Sequence, residues 1–340
     1  MRKVTLFLLL LIYSTIYSQN LRTLDKDIVD ENNNEIILRS AGLGGWMLQE
    51  PYMFNYSSGA NTQHEFKEKL NNLVGSENTE LFFESWLDNF VTEQDVDSIA
   101  SWGFNSIRLP MHYDLFTLSI QEEPVEGENT WLDRGFEIVD QLLDWCEQNE
   151  LYLILDLHAA PGGQGYDAAI SDYNSNYPSL WESVENQNKT IALWEQLAIR
   201  YKDEPWIGGY DLLNETNWDL ANFELRSFYV QVTNAIREHD SNHIIFIEGN
   251  WFANDFTGLI PPWDDNMAYS FHKYWSYNNT ESIQWVLDIR NQYNTPLWMG
   301  ESGENSNLWF TDAIRLFEDN EIGWAWWPWK KTESINSTLS

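Results

Sequence analysis

Eight short apolar runs recur along the chain, and nearly every one ends in polar or aromatic residues. They are "AGLGGWM" (41–47), "SIRLPM" (106–111), "LYLILDLH" (151–158) and "IGGYDLLNETNW" (207–218), then "IIFIEGN" (244–250), "MAYSFHKYW" (267–275), "PLWMGESG" (296–303) and "GWAWWPWK" (323–330). A strand buried on both faces reads as such a run. Helical periodicity fills most of the gaps. In "TEQDVDSIASWGF" (92–104), Thr92 offers an N-cap, Val96, Ile99 and Ala100 an apolar face, and Gly103 a stop. Similar periodicity covers 133–148, 189–202, 220–239, 281–292 and 307–319, whereas 251–266, with Pro261 and Pro262, looks irregular.

Strands that alternate with helices predict a parallel sheet, and eight such units predict a closed (β/α)8 TIM barrel. "VDENNNEIILRS" (29–40) reads as a hairpin turn ahead of the barrel. After the eighth run the chain ends at "KKTESINSTLS", too soon for a closing helix. The expectation is therefore a barrel without its final helix, cut from a longer protein, because an uncovered strand face is costly. No repeat, low-complexity linker or Pro-rich boundary divides the 340 residues, so 19–340 is expected to be one domain.

Residues 1–18, "MRKVTLFLLLLIYSTIYS", combine two early cations, an apolar run and small residues near the end. That pattern predicts a signal peptide and a secreted protein, extracellular or periplasmic. The run is too short for a lasting membrane span. Cys146 is the single cysteine, so no intrachain disulfide can form. It falls on the helical stripe Phe136, Val139, Leu143, Cys146, which makes it a small core residue and not a nucleophile.

The formal net charge is −34, and loss of the leader's Arg2 and Lys3 makes it more negative still. Such a surface repels nucleic acid and anionic membranes and favours neutral partners. Nineteen Trp, sixteen Tyr and seventeen Phe add flat apolar faces. Faces of that kind beside hydrogen-bonding carboxylates suit a neutral sugar ring.

The polar residues at the strand ends bear on the chemistry. Barrel enzymes place reacting groups at the carboxyl ends of their strands. Glu215 ends the fourth run and Glu301 the seventh, so barrel closure can bring both over one mouth. Glycoside hydrolysis needs two such carboxylates, one to protonate the leaving oxygen and one to attack or to activate water. Arg108 beside Glu301 would keep that group ionised. His158, His272 and Tyr274 supply hydrogen bonds, and Trp327 a stacking face. Taken singly, each also reads as an ordinary structural residue; their joint placement at strand ends favours a site. Other motifs fail. His239 and His243 have an i, i+4 spacing, but on the stability side of the barrel, so no metal is expected. "PGGQG" (161–165) lacks dinucleotide spacing and a phosphate-loop lysine, and Ser302 lies in no nucleophile elbow. No cofactor is expected.

Over roughly residues 35–330 the chain resembles glycoside hydrolase family 5 of the cellulase-type clan. It is most similar to the exo-β-1,3-glucanase branch, through "GLGGWMLQEPYMF", "WGFNSIRLPMHYDLF", "LDLHAAPGGQGYD" and "WPWKKTE". The resemblance implies Glu215 as acid/base and Glu301 as nucleophile. It also implies Asn214 on the sugar 2-hydroxyl, Arg108 and Tyr274 beside the nucleophile, and His158, His272 and Trp327 lining the central subsite. Glu50 would match the carboxylate that grips the terminal sugar. Two departures bear on substrate: Thr216 stands where the family usually has proline, and "SGENSNLWF" after Glu301 does not match closely. The expectation is a monomeric, metal-independent, retaining β-glycosidase acting on β-glucan. An endo-β-1,4-glucanase or mannanase on the same scaffold is the alternative, and a non-catalytic carbohydrate-binding barrel the remote one.

Overall fold

The computed structural model describes residues 20–332 apart from residue 222. The expected signal peptide and the last eight residues lie outside the described residues. Eight parallel strands close into a barrel in the order eighth, first, second and on to seventh. They are Arg39–Gly42, Ser106–His112, Tyr152–Ala159, Ile207–Asp211, Ile244–Glu248, Met267–His272, Leu297–Gly303 and Gly323–Trp327. Seven of the eight are buried at every position, which is why they read as apolar runs and not as alternating strands. The (β/α)8 expectation holds.

The helices follow the predicted gaps with shifted ends. Glu93–Ser101 starts from Thr92, whose side chain and that of Asp95 form a capping box. The helix expected at 189–202 begins earlier, at Val184, because the Ser183 side chain accepts the Asn186 N–H. Glu224–Arg237 is shorter than the expected 220–239. Cys146 lies buried on Asp133–Gln148, where burial pushes its thiol well above the ordinary range.

The turn expected at 29–40 is present: Val29 bridges Glu35 in antiparallel fashion, Ile36 N–H donates to the Ile28 carbonyl at 2.8 Å, and the Asn-rich stretch turns on the Asp30 carboxylate. A further hairpin ahead of it pairs Arg22–Leu24 with Asp27–Val29. Two helices that the sequence pattern did not predict, Gln63–Val74 and Ser76–Asn89, lie between the first strand and Glu93–Ser101. The outer face of the eighth strand is covered although no helix follows it among the described residues. Trp326 packs on Phe310 at 4.0 Å and Trp324 on Phe104 at 5.8 Å. The chain then folds back: Trp329 N–H donates to the Gly42 carbonyl at 2.8 Å, and its indole donates to Asp95 at 3.1 Å. Neighbouring helices and that return segment do the covering.

Candidate active site

A cavity of 690 Å³ opens at the carboxyl ends of the strands, within the ~300–1,000 Å³ typical of small-ligand sites. Glu50, His158, Glu215, His272, Tyr274, Glu301 and Trp327 line it. Arg108 and Asn214, also expected here, stand one layer behind and are fully buried. The amide of Asn214 faces protein: its Oδ1 accepts from Arg108 at 2.9 Å, and its Nδ2 lies 3.3 Å from His158 Nε2.

Glu215 is not in the fourth strand proper. The strand ends at Asp211, and Glu215 sits in the turn beyond with φ +38°. Two devices hold that turn. Asn214 N–H donates to the Leu157 carbonyl at 3.0 Å, and Gln164 bonds the carbonyls of both His158 (2.7 Å) and Asn214 (2.9 Å). Gln164 comes from "PGGQG", whose Gly162 has φ +80° and no room for a Cβ, which would meet Asn186 Nδ2 at 2.3 Å. The loop that failed as a phosphate motif thus braces strands three and four. Thr216, buried where proline was expected, accepts the Phe252 N–H on its carbonyl at 3.2 Å.

Carboxylate oxygens of Glu215 and Glu301 and a ring nitrogen of His272 all lie within 4.8 Å of one another. The two acids sit in opposed settings. Burial raises Glu215, and His272 Nδ1, 2.6 Å from its Oε1, offsets this only in part. Burial would also raise Glu301, but the charges of His272, Arg108 and His158 outweigh it and hold the group below its ordinary value. Arg108 Nη1 lies 2.5 Å from Glu301 Oε1, and the Tyr274 hydroxyl donates to Oε2 at 3.0 Å. A shared proton therefore resides on Glu215.

The histidines are cationic. Burial lowers His158, but Asp156 at 2.7 Å and further acids carry it up to about 10. His272 is likewise raised well above its ordinary range by Glu248, Glu301 and Glu215. Burial lifts Glu50 to about 7, and His158 Nε2 stands 3.7 Å away. Trp327 stacks on His158 at 5.2 Å and donates to the Tyr52 hydroxyl at 3.0 Å.

Three acids were not anticipated. Asp156, Asp211 and Glu248 contact Arg108 at 3.2, 3.1 and 2.9 Å. A signal existed: Asp156 and Asp211 are charges inside otherwise apolar strands, and Glu248 ends "IIFIE" as Glu301 follows "PLWMG". Such charges need a buried partner.

Glu215, His272 and Glu301 have metal-like proximity, as do Asp156, Asp211 and Glu248. In both groups the carboxylates already face Arg108 or the His272 imidazolium, so a metal ion would have to displace a resident cation. His239 and His243 part company. His243 is buried on Asp240 at 2.6 Å, while half-exposed His239 meets Glu195 at 3.0 Å with Glu238 nearby.

The family described as "Cellulase (glycosyl hydrolase family 5)" matches residues 60–333. The chain belongs to glycosyl hydrolase family 5. As a family 5 chain it is a glycoside hydrolase. It is 39% identical over 249 residues to a β-xylosidase of Phanerodontia chrysosporium, covering 73% of this chain and 50% of that protein. The chain thus spans half the length of that relative. Endoglucanase C of Acetivibrio thermocellus is 27% identical, over 75% of this chain and 88% of its own. A glucan 1,3-β-glucosidase of Blumeria graminis is 26% identical over 74% and 58%. Among solved structures, the cellulase Cel5C_n superposes with a TM-score of 0.64 at 17% identity, covering 95% of this chain and 85% of that one. That likeness is one of fold.

Proposed function

We propose that this family 5 chain is a secreted, retaining β-glycoside hydrolase that removes sugars from the end of β-glucan chains. The observation that carries the mechanism is the placement of the Glu215 and Glu301 oxygens within 4.8 Å. Retaining enzymes hold their carboxyl groups about 5–5.5 Å apart, inverting ones about 6.5–9.5 Å. Glu301, ionised, attacks the anomeric carbon while Glu215 gives its proton to the departing glycosidic oxygen. A covalent glycosyl–Glu301 ester results. Glu215, now a carboxylate, takes a proton from water; the resulting hydroxide displaces Glu301, and the sugar leaves with its β-configuration restored.

Exo action is supported by the packing of one cavity wall. Half-buried Tyr52 accepts the Trp327 indole N–H at 3.0 Å, and Lys331 lies over the tyrosine ring at 4.5 Å while pairing with Glu304 at 2.5 Å. This packed wall leaves Glu50 and His158 to meet a chain end. The leader-like residues 1–18 support secretion. No helix among the described residues is long and apolar enough to cross a membrane.

The relative that is 39% identical favours a second reading, an exo-acting β-xylosidase. Digestion of laminarin, carboxymethylcellulose and xylan, with products followed by NMR, tests both. Glucose alone from laminarin, first appearing as the β-anomer, is the expected result. Xylose alone from xylan selects the second reading, mixed oligosaccharides mean endo action, and an initial α-anomer ends the retaining mechanism.

A further inference from the structure

The fifth strand ends in Glu248, a fully buried carboxylate to which neither the strand pattern nor the family resemblance attaches a role. Its Oε2 accepts the backbone N–H of Glu215 at 2.7 Å. Its Oε1 accepts from Arg108 Nη2 at 2.9 Å and lies 3.1 Å from His272 Nε2. One side chain thus touches the backbone of one reacting carboxylate, the cation that holds the other, and the imidazole between them.

The Glu215 contact has a specific physical consequence. A non-glycine residue at φ +38° is strained and persists only where its surroundings over-determine it. A charge-assisted bond to that residue's own N–H is among the strongest local restraints. A relaxed turn would break it and swing the Glu215 side chain away from Glu301.

We propose that Glu248 is a positioning residue that locks the Glu215 turn, Arg108 and His272 into one rigid unit, holding the two reacting carboxylates in register. The inference rests on the double-displacement reading above. Besides Glu215, Arg108 and His272, Glu248 is faced by Glu301. Across the guanidinium stand Asp211 and Asp156, the latter bonded to His158, and the Tyr229 hydroxyl donates to Glu248's own carbonyl at 3.1 Å. Burial disfavours the charge on Glu248, but His272 and Arg108 overcome it and hold the group at about 2, so it is ionised at any working pH. Its charge in turn raises both Glu215 and Glu301.

The test compares E248Q and E248D with the parent on the aryl β-glucoside and aryl β-xyloside, using whichever the parent cleaves. Glutamine keeps the shape but removes the charge and replaces one acceptor with a donor. Its kcat is expected to fall about 10²-fold with KM nearly unchanged, the loss that follows a misplacement of about 1 Å. Both limbs of its pH profile should move to lower pH, by on the order of one unit. Aspartate keeps the charge but cannot span all three contacts, so its kcat should fall less and its limbs stay in place. Should E248Q fail to fold, E248D carries the test through its kcat loss at unchanged limbs. A folded E248Q with the parent's kcat and pH limbs overturns the proposal. So does a loss spread over kcat and KM with unmoved limbs, which is general damage. A parent inert on both glycosides defeats the functional reading itself, visible before any variant is made, and the proposal falls with it.

Discussion

Replacing each reacting carboxylate by alanine separates their roles, because the nucleophile is needed whatever the leaving group, whereas the acid is needed only for a basic one. In Glu215→Ala the lost proton transfer should slow polysaccharide hydrolysis by about 10²–10⁴-fold, or ~3–5 kcal/mol of barrier. The fold should survive. Glu215 lines an open cavity, so water can replace its oxygen at His272 Nδ1, and the stability change should stay within about 1–2 kcal/mol. The nucleophile stays competent, since His272, Arg108 and His158, whose charges hold Glu301 below its ordinary value, all remain in place. On a dinitrophenyl glycoside the first step should therefore persist as a burst of phenol, followed by slow turnover for want of a base. Azide, which needs no base, should speed turnover and yield the β-glycosyl azide. Glu301→Ala removes the attacking group and the partner of Arg108 Nη1, and should be inert on every substrate. Stopped-flow absorbance with product NMR reads all of this. If Glu301→Ala gives the burst and azide rescue while Glu215→Ala is inert, the roles are reversed and the fourth strand carries the nucleophile.

Further outcomes follow from the same geometry. The pH profile of kcat/KM should be a bell whose acid limb belongs to Glu301, held low, and whose alkaline limb belongs to Glu215, raised by burial; Glu215→Gln should abolish the alkaline limb on the activated aryl glycoside. Tyr274→Phe deletes the 3.0 Å bond to Glu301 and should raise the acid limb by about one unit, read from the same profile. Asp172 binds both His64 (2.9 Å) and His112 (3.0 Å), tying the inserted helix Gln63–Val74 to the second strand and to the loop after the third. Burial raises Asp172, but its histidine partners lower it from 3.8 to about 2, a contribution present above 3.8 and lost toward pH 2; burial lowers His112, but Asp114 and Asp172 raise it from 6.5 to about 10, a contribution present below 6.5 and lost as pH rises through 10. Asp172→Asn should therefore cost ~2 kcal/mol, most between roughly pH 4 and 6.5, seen as a lower Tm there and a smaller difference outside. Treatment with EDTA should leave turnover unchanged, and activity that zinc or calcium restores after chelation would show the acid clusters to be metal sites.

What could be read from the chain, and what could not, follows from how far apart the interacting residues are. The barrel was legible because burial on both faces is a local property, written as eight apolar runs. Glu215 and Glu301 were legible because a carboxylate at the end of such a run has few structural uses. The helices at 63–89 were not, since their apolar residues serve a cluster assembled at long range. Phe66 meets Tyr56 at 4.2 Å and Phe82 at 5.9 Å, and Trp86 stacks on Phe90 at 4.5 Å, so their spacing follows the cluster and not one helix face. The additional hairpin at 22–29 was not legible, because its strands are three residues long, too short to show alternation.

Asp156, Asp211 and Glu248 show the remaining limit. Each is an acid in a strand buried along its length, and a lone buried charge is so costly that a partner can be inferred from the sequence alone. Which partner cannot be inferred, because it depends on barrel closure. Four of the acids that converge in the barrel come from four different strands, and all meet Arg108 from a fifth. One guanidinium cannot neutralise four carboxylates: burial and neighbouring acids push Asp211 well above the ordinary carboxylate range, and His158 and His272 add buried positive charge, each on an acid of this group. The histidines at the ends of strands three and six thus do more than line a sugar site. They are counter-charges that, with Arg108, hold Glu301 below its ordinary value, and a protonated Glu301, being uncharged, is a far weaker nucleophile than the carboxylate.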